Sequence, residues 1–508
     1  MLVLTGLAAV AAAAGPRGFV INEDNSHFFG GRGPDDMTLE GLHAWVDQYA
    51  GTQVSHLFLC PNAMKASFAS SAFDPIWRLT AEQHFPAGPD FSRTWPDNAR
   101  LLDERGLDPY AVWIARCREK GISPWLSMRM NDLHNVDNTA NFQHSSFWLK
   151  HPDYWRVPGS TSGSWLDRAF DYGIPEVREY HIGFIRELLE RYDPDGLELD
   201  WMRFGWHFKP GHEKEGCAIL TAFMRDVRAL THASAEKRGH AIKLGARVPT
   251  HPDAAAGLGM DGVTWLREGL VDMLVPTPFW TASDFDIPIE LWRRRIGPAA
   301  GNIVLAAGLE SNLRAYPGGP SVANDLESVR GFAAASLHRG ADQIYLFNYM
   351  DPGPMPGGPQ AYRELLEKGL GLDVVTQAPR RHVVGFRDTV PPGMPNDAAL
   401  PVDGFKGGVL RIYTGAKPDN GRVVFVAGLA EREDVQNAAF EISLNGKPCK
   451  PSTDLADASR CPAAARAIQA GCPLETVRDG YNEVRIVQLE GQAEQQVVWA
   501  EIRIDPNP

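Results

Sequence analysis

The sequence predicts an α/β fold, a (β/α)8 TIM barrel followed by a C-terminal β-sandwich, and three observations predict it. Apolar runs of strand length alternate with amphipathic stretches of helix length eight times between residues 19 and 368. The loops after the second and third strands are much longer than the turns leading back into strands, and long loops on one rim are where such barrels carry sites. After about residue 378 strands continue without helices. A chain of 508 residues exceeds the size at which one core keeps growing, so two units are expected. The barrel is assigned to 17–378 and the sandwich to 379–508, with 1–16 set apart as a signal-peptide remnant.

In order, strand one falls near 19–23, with a helix over 38–50. Strand two, 54–62, leads through a Pro- and aromatic-containing excursion to a helix over 108–120. Strand three, 123–131, opens a loop of more than forty residues before the helix at 175–192. Strand four is the run from Asp195, followed by a helix over 213–238. Strand five (242–248) precedes a helix near 260–269, strand six (272–277) one near 288–296, strand seven (302–310) one over 321–339, and strand eight (342–349) one over 360–368. Gly121, Asp195-Gly196, Gly239 and Gly301 mark the short returns. No Gly-rich phosphate loop follows strand one, which argues against a doubly wound nucleotide-binding sheet. The sandwich strands are read at 382–388, 407–414, 421–429, 438–444, 482–489 and 496–504, with a hairpin turn at Asn445-Gly446. A polar, Cys-bearing insertion interrupts them at 449–478. The sandwich is expected to buttress the barrel, since no cluster of exposed aromatics marks it as a sugar-binding module.

Strand four organises the rest. Leu197, Leu199 and Trp201 alternate with Glu198 and Asp200, so one face is apolar and the other carries two carboxylates. Helices on both sides imply a parallel strand covered on both faces. Inside such a sheet a carboxylate pair is costly unless it has partners or a task, a structural ion pair being the competing explanation. With the larger aliphatics outward, the residues facing the axis are Asn22, Asn62, Ser127, Arg129, Asn131, Glu198, Asp200, Arg247, Glu310, Tyr345 and Tyr349, with Asp24 just beyond strand one. They gather at strand C-termini, where a purely structural interior would hold branched aliphatics.

Asp200 and Glu310, near the tops of strands four and seven, form the expected catalytic pair, because glycoside hydrolysis needs one carboxyl to protonate the leaving oxygen and another to attack or activate water. By the usage of retaining barrel glycosidases Asp200 would be acid/base and Glu310 nucleophile, and the opposite assignment stays open. Glu198, one layer deeper, is expected to pair with Arg129 or Arg247 and tune Asp200. Arg129, Arg203 and Arg247 suit an anionic sugar held by a guanidinium fork, or else they neutralise Glu198, Asp200, Asp132 and Glu310. His27, His134, His207 and His251 lie near strand ends as hydrogen-bonding groups. Trp206 and Trp280 are candidates for stacking on a sugar face, while Trp201 points at the helices. The substrate-binding set is therefore Asn22, Asp24, Asn62, Arg129, Asn131, His134, Glu198, Arg203, Trp206, Arg247, Trp280 and Tyr349.

The net charge of −13 with no basic cluster argues against nucleic acid as a partner. No metal-type Cys/His spacing appears, and neither a metal nor a cofactor is expected. Leu2 to Ala14 has the length of a signal-peptide core, too short to span a bilayer, and predicts a secreted or periplasmic protein, or a cytoplasmic one if the stretch is not a leader. No later stretch is long and apolar enough for a membrane helix. Cys449, Cys461 and Cys472 gather late in the chain, and in an exported protein a Cys461–Cys472 bridge is the expected pairing.

The run Asp195-Gly-x-Glu198-x-Asp200-x-Met202 is similar to the strand-four signature of glycoside hydrolase family 18, in which two aspartates and a final glutamate share a face. Met202 stands where that glutamate would be, so the family's substrate-assisted chemistry does not transfer. The chain more closely resembles the family-10-like bacterial glycosyl hydrolases, barrels with a small β domain behind. The likeness rests on Ser127-Met-Arg-Met-Asn-Asp-Leu-His134, Asp171-Tyr-x-Ile-Pro-Glu-Val-Arg178 and Asp195-Gly-Leu-Glu-Leu-Asp-Trp-Met-Arg203, and covers 17–375. That resemblance implies hydrolysis of a poly- or oligosaccharide. Two other functions fit the same residues: a non-catalytic carbohydrate-binding barrel, suggested by Met202, and a polysaccharide lyase with Tyr349 or a histidine as base.

Overall fold

Strand four, Gly196–Asp200, is buried at every position, and its neighbours extend the same pattern around a closed ring. The computed structural model describes residues 18–88, 90–280, 282–350, 355–452 and 457–506; the stretch from Leu2 to Ala14, read in sequence as a signal-peptide core, lies outside them. The eight parallel strands are Phe19–Glu23, Val54–Leu59, Ser123–Arg129, Gly196–Asp200, Lys243–Pro249, Met273–Thr277, Val304–Glu310 and Gln343–Phe347. Each pairs with the next, and strand eight returns to strand one with Asn22 opposite Phe347. Helices lie between successive strands, among them Leu39–Asp47, Pro109–Glu119, Pro175–Arg191, Glu213–Arg238 and Leu326–His338. Among the described residues, no helix is long and apolar enough to cross a membrane.

The barrel interior is stacked in layers. Inside the ring, Val20, Phe58, Trp125, Met273, Val275, Ala306, Tyr345 and Phe347 form a core separate from the outer one. Phe58 stacks on Trp125 at 4.7 Å, and Tyr345 meets Phe58 edge-on at 5.3 Å. An indole fits inside an eight-stranded barrel only where facing positions give up volume. Gly196 does so: a Cβ there would stand 2.4 Å from the Trp125 ring. Outside, Leu197, Leu199 and Trp201 pack toward the helices, Trp201 meeting Tyr172 at 5.2 Å and Phe223 at 5.7 Å.

The excursion after strand two contains a helix the sequence reading missed, Phe91–Glu104, started by the Asp90 side chain, which accepts the Arg93 N–H. Pro96 reads as a breaker in sequence; here it lies within the helix on the buried face beside Trp95, Ala99 and Leu102, and tertiary packing prevails. Beyond the barrel, one antiparallel sheet holds Arg380–Val383, Val402–Asp403, Arg422–Ala430, Lys450–Pro451, Ala464–Cys472 and Gln496–Asp505. A second holds Gly408–Tyr413, Ala439–Leu444, Lys447–Pro448 and Tyr481–Glu490. Asn445 and Gly446 both have positive φ, as a two-residue hairpin turn requires.

The segment 449–478 is not merely an insertion. Ala464–Cys472 pairs along nearly its whole length with Arg422–Ala430, from Val423 opposite Cys472 to Ala430 opposite Ala464. Its Ala, Arg and Gln content gives little strand propensity, and the neighbouring strand imposes the extended form. The two units lock through Arg381, which donates to Glu501 at 2.7 Å and to Asp325 at 2.6 Å. At Gly331 the helix Leu326–His338 lies so close to the Arg381 carbonyl that any Cβ would collide with it.

The aromatic floor gives a direct test. Gly196→Ala should lower stability by about 1–3 kcal/mol through overpacking, and Trp125→Leu in the same chain should recover part of the loss. Urea denaturation of the four members of this cycle measures both terms; an unchanged single variant would show that the ring does not fill the space above Gly196.

Candidate active site

The register of strands three, four and five places Arg129 opposite Asp200 and Asp200 opposite Arg247, with Ser127, Glu198 and Gly245 aligned one layer below. The polar interior follows from that alignment. In the lower layer Glu198 Oε2 accepts from the Ser127 hydroxyl at 2.6 Å and the Tyr345 hydroxyl at 2.8 Å. Asn22 Nδ2 donates to the same two oxygens, at 3.0 and 2.7 Å. The sequence reading expected Glu198 to pair with Arg129 or Arg247, and it bonds to neither; hydroxyls of its own layer reach it first, and the two arginines are taken one layer up. Burial, then the charge of Asp200, push the Glu198 carboxyl up to about 8.

In the upper layer Arg247 Nη1 donates to Asp200 Oδ2 at 2.6 Å, and the Met202 N–H donates to Oδ1 at 3.0 Å. Arg247 also lies 3.9 Å over the Phe347 ring. Arg129 is clamped between Asp24 and Asp132, and its backbone exchanges hydrogen bonds with the Asn62 side chain. Burial opposes ionisation of Asp24, but Arg129 and Arg203 hold it down at about 2. The chain of charges continues to the surface. His134 Nδ1 sits 2.8 Å from Asp132 and its Nε2 3.0 Å from Arg203 Nη2. A guanidinium only donates, so Nε2 accepts and the ring proton resides on Nδ1, directed at Asp132. Arg203 makes no ion pair among the described residues, and its buried Nε has no hydrogen-bond partner among them.

Glu310 closes the ring from the far side. Asn348 Nδ2 donates to its two oxygens at 2.9 and 3.0 Å, and the Ser311 N–H and hydroxyl donate to Oε1 at 2.8 and 3.0 Å. Its carbonyl receives Ser283 at 3.1 Å, Asn324 at 2.9 Å and Tyr349 at 3.3 Å, which pins the end of strand seven. Burial raises the Glu310 carboxyl above the ordinary range, with Asn348 and Arg203 opposing part of the rise. Glu310 and Asp200 both act on Arg247.

Tyr349, expected to face the axis, belongs to the outer core, where its carbonyl accepts from Tyr362 at 2.8 Å. Strand eight ends at Phe347, and Asn348 adopts φ 63°, which breaks the alternation and turns Asn348 inward in its place. Asn is among the non-glycine residues most at home there, so an Asn just past the strand was the available signal. Asn131 uses its amide to hold the Phe170 and Trp206 carbonyls and the Phe170 N–H. His207 is buried against Trp201, His27 pairs with Glu23, and His251 caps a helix.

An aromatic rim stands beside this polar cluster, Phe204 meeting His134 at 5.2 Å. Phe204, Trp206 and Phe279 all contact Trp165, at 5.5, 5.9 and 6.1 Å, and Trp280 follows Phe279 with 57% of its surface exposed. Of these, sequence reasoning found Trp206 and Trp280. It also missed Asp388, which arrives from beyond the barrel and accepts the N–H groups of Phe279 at 2.8 Å and Trp280 at 2.9 Å. Burial pushes the Asp388 carboxyl up to about 7.

No protein-family model matches the chain. It is similar to the protein named glycosyl hydrolase DigH of Escherichia coli (strain K12), 21% identical over 273 residues that cover 42% of this chain and 58% of that protein. The chain thus spans less than two thirds of the curated relatives it matches. Among solved structures it is similar to alpha-L-fucosidase isoenzyme 2 from Paenibacillus thiaminolyticus, with TM-score 0.41, 12% identity and coverage of 69% of this chain and 49% of that one. It is also similar to a family GH18 chitinase from Chromobacterium violaceum, with TM-score 0.33, 10% identity and coverage of 96% and 91%. Structural scores of this size carry no argument about chemistry.

The Glu198 environment sets a pH dependence. Its folded pKa is raised from 4.5 to about 8, so the folded chain keeps a proton that the unfolded chain releases. The associated stability is fully present below about pH 4.5 and declines as pH rises toward 8, with a slope of at most about 1.4 kcal/mol per pH unit. Glu198→Gln should remove this component. Denaturation midpoints of both proteins from pH 5 to 8 test it, and parallel curves would contradict it.

Proposed function

We propose that the chain is a glycoside hydrolase acting on a poly- or oligosaccharide, of the family-10-like kind its sequence resembles, with Glu310 as proton donor and Asp200 as the ionised partner. The observation that carries this reading is the unequal treatment of two carboxyls that both act on Arg247. Glu310 is buried among neutral donors and its pKa is raised, as a general acid working near neutrality requires. Asp200 receives a charge-assisted bond from Arg247, which supports a carboxylate that attacks the anomeric carbon or activates water. This reverses the assignment that strand position alone favours. The rim of Trp165, Trp206 and Trp280 would stack on sugar faces, and Asp24, His134 and Arg203 would meet hydroxyls at the more open side of the basin.

The same reading extends to an anionic sugar through Arg203. Arg129 and Arg247 are already paired with carboxylates, which leaves Arg203 as the one of these three guanidinium groups without an ion pair among the described residues. A second reading, a carbohydrate-binding barrel without turnover, is favoured by the depth of the pair, since Asp200 and Glu310 are only 2% and 1% exposed. A lyase is less well supported, because Tyr349 lies outside the basin.

Substitution separates these alternatives. Asp200→Asn and Glu310→Gln should each lower kcat on a cleaved oligosaccharide by about 10²–10⁴-fold while glycan binding persists in calorimetry. A glycan that binds the native chain without any cleavage would support the binding barrel, and an unsaturated product absorbing in the ultraviolet would support the lyase. Arg203→Ala should raise KM for a uronate-containing substrate more than for its neutral counterpart; equal effects would remove the anionic preference and leave the carboxyl assignment standing.

A further inference from the structure

The three late cysteines are not arranged as their spacing suggests. Cys461 is 1% exposed and lies with its Cβ 3.0 Å from the position a Cβ on Gly428 would take. Burial, with Glu501 adding, pushes its thiol up to about 12. Cys472 instead meets Cys449, the two Sγ atoms standing 3.3 Å apart. Cys449 occupies the crossing between the two sheets. The preceding Lys447–Pro448 pairs with Ser443 and Leu444 in one sheet, while the following Lys450–Pro451 pairs with Gly471 and Ala470 in the other. Cys472 ends the strand Ala464–Cys472, opposite Val423. Both backbones are thus fixed by strand pairing, so the thiols face each other by construction.

We propose that Cys449 and Cys472 are a disulfide-forming pair that staples the two C-terminal sheets to each other, with Cys461 left as the odd thiol. With a dissolved disulfide such as oxidised glutathione as oxidant, the Cys449 thiolate attacks one glutathione sulfur. A mixed disulfide forms and one reduced glutathione leaves. The Cys472 thiolate then attacks Cys449 Sγ, forms the intramolecular bond and releases the second reduced glutathione. Two protein thiols lose two protons and two electrons, and one glutathione disulfide becomes two thiols. Proximity to Cys472 holds the Cys449 thiol below its ordinary range, which suits the attacking role. The closed ring includes Arg460, which donates to Asp325 and Glu327 on the barrel at 2.7 and 2.6 Å. The staple would therefore restrain the segment that clamps the sandwich to the barrel. It is independent of the hydrolase reading.

The full chain is equilibrated with a reduced and oxidised glutathione buffer, then denatured and alkylated. The thiol count should fall by two from six. A non-reducing digest should yield one cross-linked species joining the peptides of Cys449 and Cys472, with Cys461 alkylated. The melting temperature should rise on oxidation in the native chain and stay unchanged in Cys449→Ser and Cys472→Ser, while Cys461→Ser retains the rise. A bridge from Cys461 to either partner, a glutathione adduct persisting on Cys449, or all six thiols remaining free would each overturn the assignment.

Discussion

A carboxylate cannot sit in the middle of a closed barrel without a compensating group, and the fit between Asp200 and Arg247 is what the rest of the interior depends on. Both side chains are almost completely buried, so neither is tolerable alone. Their meeting follows from register: Asp200 and Arg247 stand opposite on adjacent parallel strands. A slip of one residue would point Arg247 at the helices and leave Asp200 uncompensated. The ion pair therefore specifies the alignment of strands four and five, while it equips the mouth of the barrel with charge.

That pairing also explains how five acids and three arginines coexist in so small a volume. Asp24 and Asp132 enclose Arg129, and Asp200 takes Arg247. The two remaining acids, Glu198 and Glu310, receive only neutral donors, and burial pushes both toward the protonated form. Asp24, Asp132 and Asp200 thus lie among Arg129, Arg203 and Arg247, while Glu198 and Glu310 are the two acids whose ionisation burial opposes. Arg203 stands slightly apart, bonded to His134 and lying over Phe204 and Phe347 at 5.6 Å each. The sequence reading treated neutralisation and anion binding as rivals for all three arginines. Geometry divides them: two pair with carboxylates, and one makes no ion pair among the described residues.

Much of this was legible in the residues, for a definite reason. Period-two alternation within short strands fixes which side chains share a face, so Asn22, Ser127, Arg129, Glu198, Asp200, Arg247, Glu310 and Tyr345 could be placed inside before any coordinates. The places where reading failed are those where alternation stops or contact crosses the chain. Asn348 replaced Tyr349 because one left-handed residue shifts the phase. The partner of Glu198 was misassigned because sequence gives a layer's composition but not the heights of its side chains. Cys472 found Cys449 rather than Cys461 because a stretch taken for an insertion is a full strand, and strand pairing sets cysteine neighbours more firmly than spacing does.

Asp388 shows how the second unit takes part in the site. It lies between the sheet strands Arg380–Val383 and Val402–Asp403, yet its carboxyl accepts the backbone N–H groups of Phe279 and Trp280 on the loop after strand six. A loop that presents a large exposed aromatic gains nothing from its own packing, since Trp280 is mostly in water. Its backbone needs an acceptor from elsewhere, and a buried carboxyl supplies two bonds at once. The sandwich is anchored in turn by Arg381 and Arg460 on Asp325, at the start of the helix that follows strand seven. The aromatic rim thus depends on a chain segment held at both ends by barrel contacts. The segment after residue 378 thereby fixes the backbone of the loop that carries Trp280.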